Sequence, residues 1–350
     1  MTESISAERE GISKPSPKNS GPGNTRRFDG LGARALGARA LLAGLVGLAV
    51  AVASERATAQ TGTVKINGVA TPVYFNDGDT FRALAGPFRN RAARLAGYNT
   101  LESYGSAHQW GGWTAREMYS LAKQATLNAR RGFWNCSLDP KDKDGYGRFL
   151  AICPDLQYDQ IKNGFAHVLS VEGDAPKRLM DAQRDAIIHG RGIWAKGVPA
   201  MIVTSTHAAN ERFDTKDNYN RLVSSLDGSS LKWKHQNNYD ECENVCWKAK
   251  SAERANLIAV IDALRADERT KGIIKGFEDP YLLPMLAEYV ATERVPHMFI
   301  DKGDVPVKTK LDELLKAGAF GALKEADVSC MIYVGFDRRY RIAPKPRCLK

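Results

Sequence analysis

Cys136 lies eight residues before Asp144, and Cys153 lies eight residues after Gly145. Asp-Gly is a favoured central pair of a tight β-turn, so this symmetry predicts a hairpin whose two cysteines face each other. Its strands would run over 133–137 and 149–153. A disulfide across them contributes about 3 kcal/mol, acting through the unfolded chain. It also calls for an oxidising compartment. All six cysteines (Cys136, Cys153, Cys242, Cys246, Cys330 and Cys348) follow Ala59, and their even number agrees with a disulfide framework. Zinc is the rival use of cysteine, but Cys242-x-x-x-Cys246 lacks the spacing of a zinc knuckle. The last four cysteines admit three pairings, and spacing leaves all of them open.

The N-terminal segment points to the same compartment. Arg26, Arg27, Arg34 and Arg39 precede an apolar run over 40–53, and Ala57-Thr58-Ala59 follows. That order predicts an export signal cut after Ala59. An uncleaved anchor is the alternative, although a membrane span needs about 20 apolar residues. Arg26-Arg27-Phe28 hints at twin-arginine export. The expectation is a periplasmic or extracellular mature chain with no stable membrane insertion. Its oligomeric state is left open.

A chain of 350 residues with 43% hydrophobic content allows one large domain or two ordinary ones, and excludes disorder throughout. The formal charge is +10, and residues 61–198 carry 18 basic against 13 acidic side chains. A positive field over that segment suits a polyanionic partner.

Alternating apolar positions at Val64/Ile66, Val73/Phe75 and Phe81/Ala83 predict a strand meander over 63–95. Thr114-Ala-Arg-Glu117 is a capping box, and the helix it opens carries Ala115, Met118, Ala122 and Ala125 on one face. The hairpin comes next, then helices expected over 158–168 and 176–189, with Trp194 closing the segment. Strands, helix, hairpin and helices predict a small β-barrel with helices beside it. Gly197-Val198-Pro199 marks an expected boundary. Beyond it, strands are expected over 200–205 and 331–334. Leu257, Ile258, Ile261 and Leu264 stripe one helix, and two more helices are expected over 282–290 and 311–315. The overall class is therefore α+β. A leader over 1–59 precedes a barrel domain over 60–198, and a mixed α/β domain of unknown role follows over 199–350.

Four clusters in the barrel segment belong together chemically: Asp77-Gly78-Asp79-Thr80; Arg94 with Asn99-Thr100-Leu101-Glu102; Asp144-Gly-Tyr146-Gly-Arg148; and Gly164-Phe165-Ala166 with Gly192-Ile193-Trp194. Cleaving a phosphodiester takes a hard cation on oxygen ligands, a base for water and guanidinium groups for the growing phosphoryl charge. Asp79, Asn99 and the Thr100 carbonyl can supply the oxygens. Glu102 can serve as the base, and Arg94 and Arg148 as a two-armed clamp. Taken singly the residues are ordinary, and Arg148 beside Asp142 and Asp144 reads as a hairpin ion pair. Trp110, Trp113 and Trp134 could stack on bases or simply pack. In the second half, His207 with Glu211, Asp214 and Asp217 is the best polar cluster, and no chemistry is assigned to it.

Over residues 61–196 these motifs, in this order, resemble the staphylococcal nuclease (thermonuclease) family. The resemblance implies an OB-fold barrel and calcium-dependent phosphodiesterase activity on DNA and RNA. It casts Asp79 as a calcium ligand beside Asn99 and Thr100, Glu102 as the water-activating carboxylate, and Arg94 and Arg148 as the transition-state arginines. Asp144 and Tyr146 would border the phosphate, and Asp77 would steady the turn. The sequence departs from the family pattern in four places. Asn99 replaces a metal-binding Asp, Leu101 replaces a Pro, and Ser170 and Glu172 stand where nucleotide-contacting tyrosines are found. Losing one ligand charge weakens calcium binding. The alternative reading is therefore a weakened nucleic-acid-binding module whose role is set by the C-terminal half.

Overall fold

In the computed structural model, alternation over residues 62–95 produces four antiparallel strands: β1 (Gly62–Ile66), β2 (Val69–Phe75), β3 (Thr80–Ala83) and β4 (Ala92–Leu95). The structure describes residues 61–211, 218–299, 302–335 and 347–349. The expected export signal, Asp214 and Asp217 lie outside them. Next come β5 (Tyr98–Thr100), β6 (Ala107–Gln109), α1 (Ala115–Arg131), β7 (Phe133–Lys143), β8 (Phe149–Ile152), α2 (Pro154–Lys162), β9 (Ala166–Val168) and α3 (Lys177–Ile188). The second half adds β10 (Met201–Ser205), β11 (Tyr219–Ser224), β12 (Ser230–Lys234), β13 (Asn244–Ser251), α4 (Arg254–Ala266), α5 (Lys271–Ile274), α6 (Asp279–Thr292), α7 (Asp304–Lys316) and β14 (Lys324–Ile332).

The architecture is mixed α+β and contains a closed six-stranded barrel in the order β1-β2-β3-β4-β8-β7. Two parallel pairings close it, β1 with β7 and β4 with β8. Val64, Ile66, Val73, Phe75, Phe81, Ala93, Leu95, Phe149 and Ala151 fill its interior. The capping box forms as expected. Thr114 accepts from the Glu117 N–H, while the Glu117 carboxylate accepts from the Thr114 N–H. Met118, Ala122 and Ala125 are buried on the helix face, whereas Ala115 is half-buried.

The hairpin reaches the expected pairing by a different route. Ser137 opposes Ile152, so Cys136 and Cys153 face each other, and their disulfide forms. The turn is longer than an Asp-Gly pair, because the Asp144 N–H donates to the Arg148 carbonyl at 2.9 Å. Asp144 Oδ1 accepts from the N–H groups of Tyr146 and Arg148, both at 2.9 Å, and so builds the wider loop. An irregularity in β7 between Leu138 and Lys143 absorbs the difference. The other disulfides join Cys242 to Cys348 and Cys246 to Cys330. Among the described residues, no helix is long and apolar enough to cross a membrane.

Three expected elements need correction. The helix expected over 158–168 stops at Lys162, and 166–168 is a strand paired with β5. Gly164, at φ +67°, makes this break, and a Cβ there would stand 2.2 Å from the Arg191 carbonyl oxygen. On α4 the buried stripe is Leu257, Val260, Ile261 and Leu264, and Ile258 faces solvent at 38% exposure. The last strand begins at Lys324, ahead of the expected 331, because its first residues pair with β13 as an exposed ribbon.

The stretch 197–199 runs between Trp194 and β10 without separating two cores. Leu101, Trp110, Met118, Ile193 and Trp194 share one apolar cluster with Leu257, Ile261, Leu282 and Leu286. β6, from the loop after β5, forms the edge of the sheet β13-β14-β6, with Met331 opposite His108. The described residues form one compact unit.

Candidate active site

The Asp77–Thr80 turn closes when the Asn76 N–H donates to the Thr80 carbonyl at 2.9 Å. Asp77 Oδ1 accepts from the Asp79 N–H at 3.2 Å, which is the steadying role expected of it. Gly78 is required by close approach, since a Cβ there would lie 2.5 Å from the Thr100 methyl group. Asp79 is then buried at 1% exposure and saturated with donors. Its Oδ1 accepts from Thr80 Oγ1 at 3.0 Å and from Arg94. Its Oδ2 accepts from the Thr100 N–H at 2.6 Å and from Thr100 Oγ1 at 3.0 Å.

Strand pairing brings Arg94 here, because β4 places it opposite Thr80 on β3. Besides Asp79, its guanidinium donates to Asn99 Oδ1 at 2.6 Å and reaches the Tyr98 carbonyl at 3.4 Å. Only 17% of the Arg94 side chain remains exposed. Asn99 is held from its other end by Nδ2, which donates to the Thr100 carbonyl at 2.8 Å and to His167 Nε2 at 3.3 Å. The His167 contact is a cross-strand pair, since Asn99 on β5 opposes His167 on β9. Tyr98 supports the turn from below by donating its hydroxyl to the Gly78 carbonyl at 2.8 Å.

Glu102 is half-buried on the loop between β5 and β6, and its N–H donates to His108 Nε2 at 3.4 Å. Burial, then the charges of Asp79 and Glu102, push the Asp77 carboxyl well above its usual range. Burial alone would also raise Asp79, but Arg94 and the Thr100 N–H outweigh it and hold the carboxyl low. For Arg94, burial opposes the charged form, and Asp79, Asp77 and Glu102 together keep it charged. Three carboxylates and one guanidinium from three chain segments therefore share one electrostatic neighbourhood.

Arg148 comes from the hairpin, and its side chain is engaged there. In the parallel ladder Arg94 opposes Leu150, and Arg148 lies just before β8, in the turn that Asp144 closes. The Arg148 Nε–H donates to Asp144 Oδ2 at 2.7 Å, and the guanidinium lies 5.5 Å from the centre of the Tyr146 ring. Tyr146 is 54% exposed at the hairpin tip. Trp110 is buried, Trp113 donates to the Ile193 carbonyl and Trp134 to the Ala129 carbonyl, so all three take part in packing.

His167 carried no local pattern in the sequence, because its partner Asn99 is brought to it by strand pairing 68 residues away, while His108 accepts from the backbone of the loop that leads into its strand. Burial pushes His167 down to about 4 from an ordinary 6.5. It is therefore neutral at pH 7, donating from Nδ1 to the Val168 carbonyl at 2.9 Å and accepting at Nε2. The unfolded chain takes up this proton below pH 6.5, and the folded chain only near pH 4. The contribution is thus complete above pH 6.5 and lost as pH falls through that window, at most about 3 kcal/mol. Urea unfolding between pH 7 and 4.5 is expected to show a shallower pH slope for His167→Gln than for the wild type. Equal slopes would mean that His167 is solvated in the folded chain.

The groups around Arg94 are hard oxygens, the donor type a hard divalent cation takes, but here Asp79, Asn99 Oδ1 and the Thr100 carbonyl already accept from Arg94, Thr80, Thr100 and Asn99 Nδ2. Among the described residues, Asp77, Asp79 and Glu102 do not bring three ligand atoms together within 4.8 Å of one another. Cys246, Asp327 and Cys330 do come that close, but both sulfurs are committed to a disulfide.

The second half has polar clusters of its own. The Asn220 amide donates to Tyr239 Oη at 2.9 Å, and His207 Nδ1 lies 3.6 Å from Glu211 Oε2. Fully buried Glu288 shares Arg294 with Asp227, and burial pushes the Glu288 carboxyl up to about 7. No protein-family model matches this chain and no curated protein matches it, so any account of the Arg94 site must rest on its own geometry.

Proposed function

We propose that the chain is an exported, metal-dependent nuclease that hydrolyses phosphodiester bonds of DNA, RNA or both. The closed barrel is read as an OB-like barrel of the staphylococcal nuclease type, and the second half as a mixed α/β partner to it. The observation that carries this reading is the meeting of Arg94, Asp79 and Glu102 in one charged neighbourhood. Glu102 takes the proton from the attacking water, as a half-buried carboxylate held by its backbone can do. Arg94 turns its exposed edge to a phosphoryl oxygen. Arg148, released from Asp144, reaches the same phosphate from the hairpin and neutralises charge as the bond breaks. Asp144 and Tyr146 border that phosphate. Asp79, Asn99 and the Thr100 carbonyl would hold calcium only once Arg94 and the Asn99 amide turn away from their oxygens, and the ion would then supply polarisation of the scissile phosphate. The three disulfides support the exported setting.

The competing reading is a binding module with little cleavage, and Asn99 favours it. Its oxygen is taken by Arg94 and its amide by His167 and Thr100, so it is fixed as a neutral residue. The experiment is a gel assay of the mature protein on labelled single-stranded DNA and RNA with Ca²⁺, Mg²⁺ or EDTA. Cleavage is expected with Ca²⁺ and lost in EDTA, and Arg148→Ala is expected to lower it about 10²-fold or more. Full activity in Arg148→Ala would remove that arginine from the clamp. A near-zero wild-type rate that rises sharply in Asn99→Asp would favour the binding module.

A further inference from the structure

Beside the Glu102 loop, aromatic rings and cations interleave on one surface. Tyr119, Lys123 and Arg130 of α1 follow four- and seven-residue spacings, which places them along one helix face. Tyr104 comes from the loop two residues beyond Glu102, and Tyr74 from β2. The hydroxyls of Tyr74 and Tyr104 are hydrogen-bonded at 2.8 Å. Lys123 Nζ lies 4.5 Å from the centre of the Tyr104 ring and 4.9 Å from that of Tyr119. It also donates to the Ser103 carbonyl, next to Glu102. The Arg130 guanidinium lies 4.8 Å from the centre of the Tyr74 ring. Among the described residues no carboxylate forms an ion pair with Arg130; its strong contact is the Phe75 carbonyl at 2.6 Å. Tyr104 is 37% exposed.

We propose that Tyr74, Tyr104, Tyr119, Lys123 and Arg130 form a platform for single-stranded nucleic acid, with unpaired bases stacking on the tyrosines and the backbone held by the two cations. This rests on the nuclease reading for its polymer and names the surface along which that polymer leaves Glu102. Rings offer every base a π-face, whereas a duplex hides those faces, so the occupant is single-stranded. The cations already lie over the rings, so the charge that meets the phosphates is set beside the stacking surface before binding. Burial and the Tyr74 hydrogen bond hold the Tyr104 hydroxyl near 12, so it stays neutral beside a polyanion.

The test is fluorescence anisotropy with the full mature chain in EDTA. The probes are a fluorescein-labelled oligothymidylate, an abasic oligonucleotide of equal length and a duplex. Wild type is expected to bind oligothymidylate about tenfold or more tighter than the other two. Tyr104→Ala and Tyr104→Leu are each expected to lose about tenfold on oligothymidylate and nothing on the abasic strand, whereas Tyr104→Phe keeps both. Abasic binding thus serves as the folding control, since an unfolded variant would lose it as well. Unchanged oligothymidylate affinity in Tyr104→Ala and Tyr104→Leu would overturn the platform, as would equal wild-type affinity for the duplex. Ring-dependent binding by a protein that cleaves nothing would sink the nuclease reading and leave the platform standing. Cleavage with ring-independent binding would do the reverse.

Discussion

Glu102→Gln is expected to slow phosphodiester cleavage by about 10²–10⁴-fold while leaving the thermal midpoint within a degree or two. Gln keeps the shape of the side chain and loses the basic oxygen. Glu102 is half-buried, so its solvation changes little. The loop that carries it is pinned at both ends, by β5 paired with β9 and by β6 paired with β14. The backbone bond to His108 does not involve the carboxylate and should survive the change. Removing a negative charge beside Arg94 should leave oligonucleotide binding equal or tighter, so a kcat loss without a KM rise is the expected signature. A loss below tenfold would mean that another group takes the proton. Asp77 would then be the first candidate, because its carboxyl is already pushed upward by burial and by its neighbours.

Asp79→Ala is expected to destabilise the fold by about 3–5 kcal/mol in urea unfolding at pH 7. The alanine would strand a largely buried guanidinium and would leave the Thr100 N–H and the hydroxyls of Thr80 and Thr100 without their acceptor. Asp79→Ala combined with Arg94→Met should recover part of the loss, since it removes both charges together. The pH dependence carries a definite sign. The Asp79 carboxyl is held below its ordinary value, so its contribution is present above about pH 4 and lost as pH falls through the depressed value. A cost under 1 kcal/mol for the single variant would show that Arg94 escapes to water, and its place in the site would fall with it.

Local chemistry was legible wherever a residue's role depends on near neighbours in the chain. The capping box at Thr114 and Glu117, the alternation that fills the barrel and the facing of Cys136 and Cys153 are of that kind. The turn was misjudged although its pairing was not. Asp144 spends its side chain on two backbone N–H groups, and such a competition between side chain and turn backbone does not show in spacing. The helix drawn through Gly164 failed for a related reason. That glycine is pressed against Arg191, a contact made 27 positions away in the chain. Val260 completes an i, i+3, i+4, i+7 stripe with Leu257, Ile261 and Leu264, and Ile258, about 200° around the helix from Val260, falls outside the buried face.

The identity of the charged residues, their order and the neutral amide at Asn99 were determined by the sequence alone, because a side chain's donor chemistry comes with its type. Tertiary structure decided which of those groups meet. It paired β4 with β3 and β5 with β9, so Asp79, Arg94, Asn99 and His167 became one network. It also bound the Glu102 loop to a strand more than 200 residues away through β6 and β14. Strand pairing is specified by the burial of whole faces, a property of the folded chain as a unit, and no local window of residues contains it.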